Sequence, residues 1–227
     1  MINKYRLATL LLGLFFLFSF YLFSRQVKHG FLKQEDFNFT VVLQNHMPAR
    51  FDSMWETIAL PVTPTPSIFV AGLITLLALV DVKKRRIRFR ALLIPLLFGL
   101  VILGEMYGKS VVTHPSPPFF MIKHPTTIFP QFYVNAQYSY PSGHTARAVF
   151  LGMALFSILA GPFELWKKNW KKTGILAGII LAYIFAVAIS RIYLGEHWLS
   201  DVIGGGFLGS GLGLLTLALN SHIIPKQ

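Results

Sequence analysis

The sequence predicts an all-α integral membrane protein, a polytopic helical bundle of six transmembrane helices with short interfacial helices in its first outer connection. Three observations carry this expectation. The 227-residue chain is 54% hydrophobic and 13% charged, with a mean hydropathy of +0.57, whereas an ordinary soluble domain carries about 25% charged residues. Apolar runs of about 20 residues, long enough to cross a bilayer core, recur along it. The basic residues fall in short blocks between those runs.

The formal charge of +12 does not indicate nucleic acid, because a nucleic-acid binder spreads its basic residues over a solvated face. No nucleic-acid partner is expected; the partner is the lipid bilayer. With no cysteine in the chain, disulfides, thiolate zinc sites and a cysteine nucleophile are excluded. One membrane-embedded domain over residues 1–227 accounts for the whole pattern, and no internal repeat interrupts it.

The first span is expected near 6–24. It follows Lys4 and Arg6 and ends in Ser24-Arg25-Gln26 without a small-residue cleavage pattern, so it reads as a retained helix and not a signal peptide. The first outer connection, 25–57, mixes Phe37, Phe39, Val41, Val42, Leu43, Met47, Phe51 and Trp55 with polar residues, as amphipathic interfacial helices do. The second span, near 58–80, has Pro61, Pro64 and Pro66 at its start, which predicts a kinked or late-starting helix. The third is expected at 90–108. The connection that follows, 109–143, is rich in proline, and its aromatics Phe119, Phe120, Phe129, Phe132, Tyr133, Tyr138 and Tyr140 suit the headgroup layer, as anchors or as a lipid entry portal. Spans four to six are expected at 144–162, 172–190 and 201–219.

Orientation follows from the short connections. Lys4, Arg6, Lys83, Lys84, Arg85, Arg86, Arg88, Arg90, Lys167, Lys168, Lys171, Lys172 and Lys226 all fall on one side, 13 of the 21 basic residues. That side, with both termini, is expected to be cytoplasmic, leaving 25–57, 109–143 and 191–200 outside.

Polar residues distant in sequence then share the outer surface. Lys109 ends span three, Pro141-Ser142-Gly143-His144 opens span four, Ser190-Arg191 ends span five, and His197 and Asp201 open span six. His197 and Asp201, four apart, lie on one helical face, where the carboxylate holds one imidazole nitrogen and frees the other as nucleophile or base; a structural staple of the helix entry uses the same bond. Ser142 and Gly143 precede a helix amino terminus, where free N–H groups attract anions, although a serine there also serves as a plain N-cap. His144 is placed to donate a proton to a leaving oxygen. Lys109 and Arg191 supply cationic donors, or snorkel to headgroups. Jointly these groups point to a phosphoryl substrate.

"PSGH" at 141–144, with "SR" at 190–191 followed by His197 and Asp201, resembles the second and third signature motifs of the type 2 phosphatidic acid phosphatase family, the lipid phosphate phosphatases. The whole chain resembles its six-span bacterial members. The resemblance implies a metal-independent hydrolase of the cytoplasmic (inner) membrane, without cofactor, whose site faces the periplasm or exterior. There His197 attacks phosphorus to form a phosphohistidine, Asp201 orients it, and His144 protonates the leaving group and then activates water. Lys109, Ser142, Gly143 and Arg191 would hold phosphoryl oxygens of a membrane lipid phosphate such as phosphatidylglycerophosphate, phosphatidic acid, undecaprenyl pyrophosphate or lipid A.

The first signature departs from the family pattern of Lys, six residues, Arg-Pro: "KSVVTHPSPP" at 109–118 places Ser116 where arginine is usual. Losing a charge-assisted contact costs about 1.5–3 kcal/mol. Arg147, three residues after His144, is the candidate replacement guanidinium, with headgroup contact or pairing to Glu105 or Glu196 as its alternatives. His114 and Lys123 are further candidates. A lipid phosphotransferase sharing the intermediate, or a weakened lipid-phosphate-binding protein, remain alternative functions; a transporter fits less well, because the polar residues sit at span ends. The glycines of span six favour close helix contact, within the bundle or between chains, and leave the oligomeric state open.

Overall fold

The computed structural model describes residues 4–81, 86–123, 137–159 and 169–219. Among them are eight helices: α1 (Lys4–Lys28), α2 (Lys33–His46), α3 (Asp52–Ala59), α4 (Pro64–Leu79), α5 (Leu93–Val111), α6 (Gly143–Leu159), α7 (Trp170–Tyr193) and α8 (Leu199–Leu219). Four short 3-10 helices, Ala49–Phe51, Leu60–Val62, Phe89–Leu92 and Phe119–Met121, and a two-residue antiparallel ladder, Val80–Asp81 against Arg86–Ile87, accompany them. Lys83, Lys84, Arg85, Lys167, Lys168 and Lys226 lie outside the described residues. So do Phe129, Phe132, Tyr133 and the last positions expected of span four, 160–162.

The all-α membrane architecture is present. α1, the segment Phe89–Val111, α7 and α8 are each long and apolar enough to cross a bilayer. A fifth span arises if Ala49–Val62 and α4, bent by 50° at their junction, are taken together. Pro61, Pro64 and Pro66 explain that bend, because proline lacks an N–H and cannot continue a preceding helical turn. α6 is the shorter apolar helix of 17 residues. The described chain thus offers four to five spans by length, with α6 at the place expected of another.

α8 is the axis of the bundle: over half of its most apolar stretch is buried, against 6% of that of α1. Its glycines make this possible. A Cβ on Gly205 would lie 2.4 Å from the Ser142 carbonyl oxygen, and one on Gly209 would lie 2.5 Å from that of Ala146. Only hydrogen fits where backbone meets backbone, so α8 and α6 pack in direct main-chain contact. Around them Ile74, Ile94, Val101, Phe150, Ala154, Val187, Leu208 and Leu212 form one core. The outer faces of α4, α5 and α7 present Leu73, Leu96 and Phe185, all more than half exposed, as lipid-facing helices must.

The first outer connection forms the short helices expected of it, but α2 turns its polar face inward. Asp36 and Thr40 are buried, while Phe37 and Val42 are exposed. Gln44, one turn further, donates from Nε2 to the carbonyls of Met121 (2.7 Å) and Tyr193 (2.8 Å). The stripe Asp36, Thr40, Gln44 therefore docks α2 on the bundle by hydrogen bonds, leaving its apolar side for the membrane interface.

Tyr140 departs from the expected interfacial aromatics. It is fully buried, its ring stacks on Phe20 with centroids 6.0 Å apart, and its hydroxyl lies 2.9 Å from Ser24 Oγ. A Cβ on Gly204 would strike that ring, so the missing side chain is the room Tyr140 occupies. Phe119 and Phe120 are exposed as anticipated.

Candidate active site

The helix ends named by hydropathy and charge meet at one end of the bundle. At the start of α8, Asp201 is fully buried and its Oδ2 accepts the Trp198 N–H at 2.9 Å. The Ser200 N–H and hydroxyl donate to the two oxygens of Asp36, each at 2.7 Å. Two carboxylates therefore satisfy the free donors and the positive dipole end of this helix. The Nδ1 atom of His197 lies 3.3 Å from Asp201 Oδ2, which leaves Nε2 as its free nitrogen.

The turn before α8 is set by Arg191 and Gly195. The Arg191 carbonyl accepts the N–H groups of Glu196 and His197, at 3.0 and 3.1 Å. Gly195 has φ +71°, and a Cβ there would lie 2.2 Å from the Met121 carbonyl oxygen, so a side chain is excluded both by backbone conformation and by space.

α6 begins against this turn. The Ser142 N–H donates to the Asp201 carbonyl at 2.9 Å, and the Ser142 hydroxyl accepts from the Thr145 N–H at 3.4 Å. The serine side chain thus caps its helix, and its main chain ties α6 to α8. His144 follows, its ring centroid 6.3 Å from that of His197 with the planes at 66°. The two imidazoles therefore stand side by side at this end of the bundle.

Three cations ring the histidines. Arg191, 1% exposed, donates from Nη1 to Glu196 Oε2 at 2.6 Å, from Nε to Ser190 Oγ at 3.1 Å and from Nη2 to the Trp55 carbonyl at 3.4 Å. Lys109 Nζ lies 2.8 Å from Glu105 Oε1. Arg147 is buried, donates from Nε to the Val62 carbonyl at 2.7 Å, and pairs through Nη1 with the other oxygen of Glu105. Glu105 therefore bridges Lys109 and Arg147. A Cβ on Gly143 would lie 2.1 Å from its Cδ and Oε1. The carboxylate occupies the concavity that glycine opens at the amino terminus of α6, the place where the sequence suggests an anion.

The structure brings His197, His144, Asp201, Lys109, Ser142, Gly143, Arg191 and Arg147 to one region. For Arg147 the observed partner is Glu105, one of the alternatives raised from sequence. Ser116 is fixed through its N–H to the Gln137 carbonyl at 3.4 Å, in the strand-like crossing where Pro115 pairs with Tyr138. Lys123 stands apart from the histidines, its ammonium 2.9 Å from the Tyr193 hydroxyl and 3.8 Å from Asp52.

Asp36 is not singled out by sequence, and His114 is named there only as a further candidate. Asp36 belongs to the stripe Asp36, Thr40, Gln44 of α2, whose spacing of four is the one sequence signal that could have found it. His114, a minor candidate, has Nδ1 2.9 Å from Asp201 Oδ1 and Nε2 3.7 Å from Asp36 Oδ2. Burial raises the Asp36 carboxyl above the usual carboxylate range, against the lowering effect of its Ser200 hydrogen bonds. Among the described residues no group of His, Asp and Glu is arranged to hold a metal ion.

A membrane-embedded helical bundle with two facing histidines, one held by an aspartate, and with cations at the ends of three helices defines a class of membrane proteins built around an anion. The chain belongs to the PAP2 superfamily, whose family model matches residues 90–224. It is 33% identical over 134 residues to a phosphatidylglycerophosphatase B from Bacillus subtilis, covering 58% of this chain and 59% of that protein. It is 34% identical over 148 residues to an undecaprenyl-diphosphatase from Sulfolobus acidocaldarius, covering 65% of this chain and 62% of that protein. The chain thus spans about three fifths of the length of these relatives. Its fold matches the crystal structure of a transmembrane PAP2-type phosphatidylglycerolphosphate phosphatase from Bacillus subtilis, with a TM-score of 0.71 at 19% identity, over 90% of this chain and 93% of that one.

Proposed function

We propose that this protein is a membrane lipid phosphatase that removes phosphate from a lipid phosphate or pyrophosphate through a phosphohistidine. The carrying observation is the pair of histidines 6.3 Å apart, of which His197 and not His144 has Asp201 on its Nδ1. Held in that tautomer, His197 attacks phosphorus through Nε2 as the P–O bond to the leaving group breaks, and His144 gives that oxygen a proton. His144 then takes a proton from water, the hydroxide attacks phosphorus, and the P–N bond breaks to restore His197. Lys109, Arg191 and the amino-terminal turn at Ser142 and Gly143 stabilise the charge on the equatorial oxygens, with Arg147 as a further donor where Ser116 replaces the usual arginine. These fixed cations supply what a metal would supply elsewhere, so no metal or cofactor is assigned.

The relatives named for phosphatidylglycerophosphate and undecaprenyl diphosphate support a lipid substrate but do not choose between mono- and diphosphate. The placement of basic residues supports a cytoplasmic-membrane protein with cytoplasmic termini and a site open to the outer leaflet. The test is phosphate release from phosphatidylglycerophosphate, phosphatidic acid, undecaprenyl pyrophosphate and lipid A in detergent micelles, with and without EDTA. The expected result is release from at least one lipid, unaffected by EDTA and lost in His197→Ala. No release by the wild type, or release that survives His197→Ala, would refute it.

A further inference from the structure

Asp201 has two histidines, and only one of them faces His144. Its Oδ2 serves His197, whereas Oδ1 is taken by Nδ1 of His114 at the shorter distance, 2.9 against 3.3 Å. His114 is 6% exposed and comes from the connection after α5, not from either helix of the site. Its far nitrogen is turned to Asp36 of α2, which lies outside the residues matched by the family model. Three separate segments thus build one buried row, Asp36, His114, Asp201, His197.

We infer that His114 is a positioning residue for the reaction: it holds Asp201 in place, draws on its charge, and thereby sets how strongly that carboxylate supports His197. The inference rests on the phosphatase function proposed above. An ionised carboxylate only accepts hydrogen bonds, so Nδ1 of His114 carries a proton toward Asp201. Each donor on Oδ1 lowers the electron density available to the bond at Oδ2. Nε2 of His114 lies 3.7 Å from Asp36 Oδ2, and Asp36 is anchored there by both donors of Ser200.

The backbone around His114 is fixed to match. Its carbonyl accepts the Ser139 N–H at 3.0 Å, the next carbonyl, of Pro115, accepts the Trp198 indole N–H at 2.8 Å, and the preceding Thr113 adopts φ 50°, a conformation rare for a β-branched residue. Trp198 directly follows His197, so the loop carrying His114 is fastened beside the residue it influences.

Removing His114 frees Asp201 Oδ1 and leaves the carboxylate to His197 and the Trp198 N–H. The other charged and titratable groups bearing on this row are Tyr140, Glu105 and Lys109 of α5, His144 and Arg147 of α6, and Arg191 and Glu196 of the turn before α8. None of them changes in the comparison below. His197 must be unprotonated to attack, so the acidic limb of the rate profile reports its proton. With Asp201 undivided, the protonated form is better supported, and the limb moves to higher pH.

The experiment compares wild type, His114→Asn and His114→Leu on the lipid that the wild type turns over, from pH 4 to 9. Asparagine places its amide nitrogen near the Nδ1 position and keeps the donor to Asp201; leucine keeps neither donor nor charge. The leucine variant is expected to lose kcat by about tenfold or more, as is usual for outer partners of reacting groups, with KM held within about twofold and the acidic limb raised. Asparagine should fall between it and wild type in both respects. A limb that stays in place, with kcat following only the folded fraction, would overturn the role. If the leucine variant does not fold, His114→Asn decides alone, an unmoved limb overturning it. Absence of turnover by the wild type is the separate failure of the phosphatase function, and the role falls with it.

Discussion

Glu105 gives the sharpest test of how this site takes an anion. Its carboxylate rests against Gly143, bonded to Lys109 and Arg147, on the ground a phosphoryl group would occupy. On the function proposed above, substrate would have to displace it. Glu105→Gln keeps the shape and one acceptor but removes the competing charge. A hydrogen bond to a charged group is worth about 1.5–3 kcal/mol, or roughly 10- to 150-fold in a dissociation constant. The Lys109 side chain is 31% exposed, so water already screens part of its pairing, whereas that of Arg147 is 4% exposed and is not screened. The lower end, about tenfold, is therefore the expected gain. The assay is competitive inhibition by inorganic phosphate of turnover of a labelled lipid phosphate: the inhibition constant should fall about tenfold. Thermal stability should fall with it, because buried Arg147 is left without its counter-charge. A glutamine variant that loses stability but binds phosphate no more tightly would refute the displacement argument and make Glu105 a structural partner only.

Two further outcomes follow from packing and burial. Gly205→Ala and Gly209→Ala each drive a methyl into a backbone carbonyl, at 2.4 and 2.5 Å, so both should lower the melting temperature and separate His197 from His144 with loss of turnover; Gly206→Ala, where nothing lies within 4 Å, should fold normally and keep activity. Equal behaviour of the three would contradict the main-chain contact of α6 with α8. Asp36 should shape stability against pH in the sense opposite to a well-paired carboxylate. Its folded-state value is raised above the ordinary 3.8, so its contribution is complete below that value and is lost as pH rises through the higher one. The melting difference between wild type and Asp36→Asn, followed by scanning fluorimetry in detergent, should therefore be larger at pH 4 than at pH 7, and a difference that grows with pH would contradict the assignment.

Much of this arrangement is legible in the sequence because the bilayer leaves few choices. A run such as Leu199–Leu219 can satisfy its backbone in hydrocarbon only as a helix, and charge blocks fix which helix ends meet. That reasoning is enough to gather Lys109, Gly143, Arg191, His197 and Asp201. It does not find the inward polar stripe of α2, because an amphipathic segment in the interface is expected to turn polar groups to water, and here the hydrogen-bonding demand of the α8 amino terminus and of carbonyls at the buried residues Met121 and Tyr193 reverses it. Nor does periodicity reach His114, which sits in irregular backbone beside a residue at positive φ.

The carboxylates are the larger lesson for function. Sequence reasoning places the cations together and offers Glu105 or Glu196 as a partner for Arg147 only, yet a charge at the edge of hydrocarbon is costly unless paired. Lys109 and Arg147 share Glu105, Arg191 takes Glu196, and His114 stands between Asp36 and Asp201. Counting Lys109, Arg147 and Arg191 against Glu105, Glu196 and Asp201, 3 − 3, leaves no formal excess of positive charge among these side chains. A site of that kind binds an anion by exchanging partners and not by attracting it to bare charge, so part of the binding energy goes to freeing the donors. The freed donors matter most where the phosphoryl charge is most concentrated, and a site built on exchange therefore favours a terminal phosphate dianion over the singly charged diester phosphates of the surrounding bilayer. On the function proposed above, such exchange would keep the site available for the rarer monoester or diphosphate in a bilayer of phospholipid.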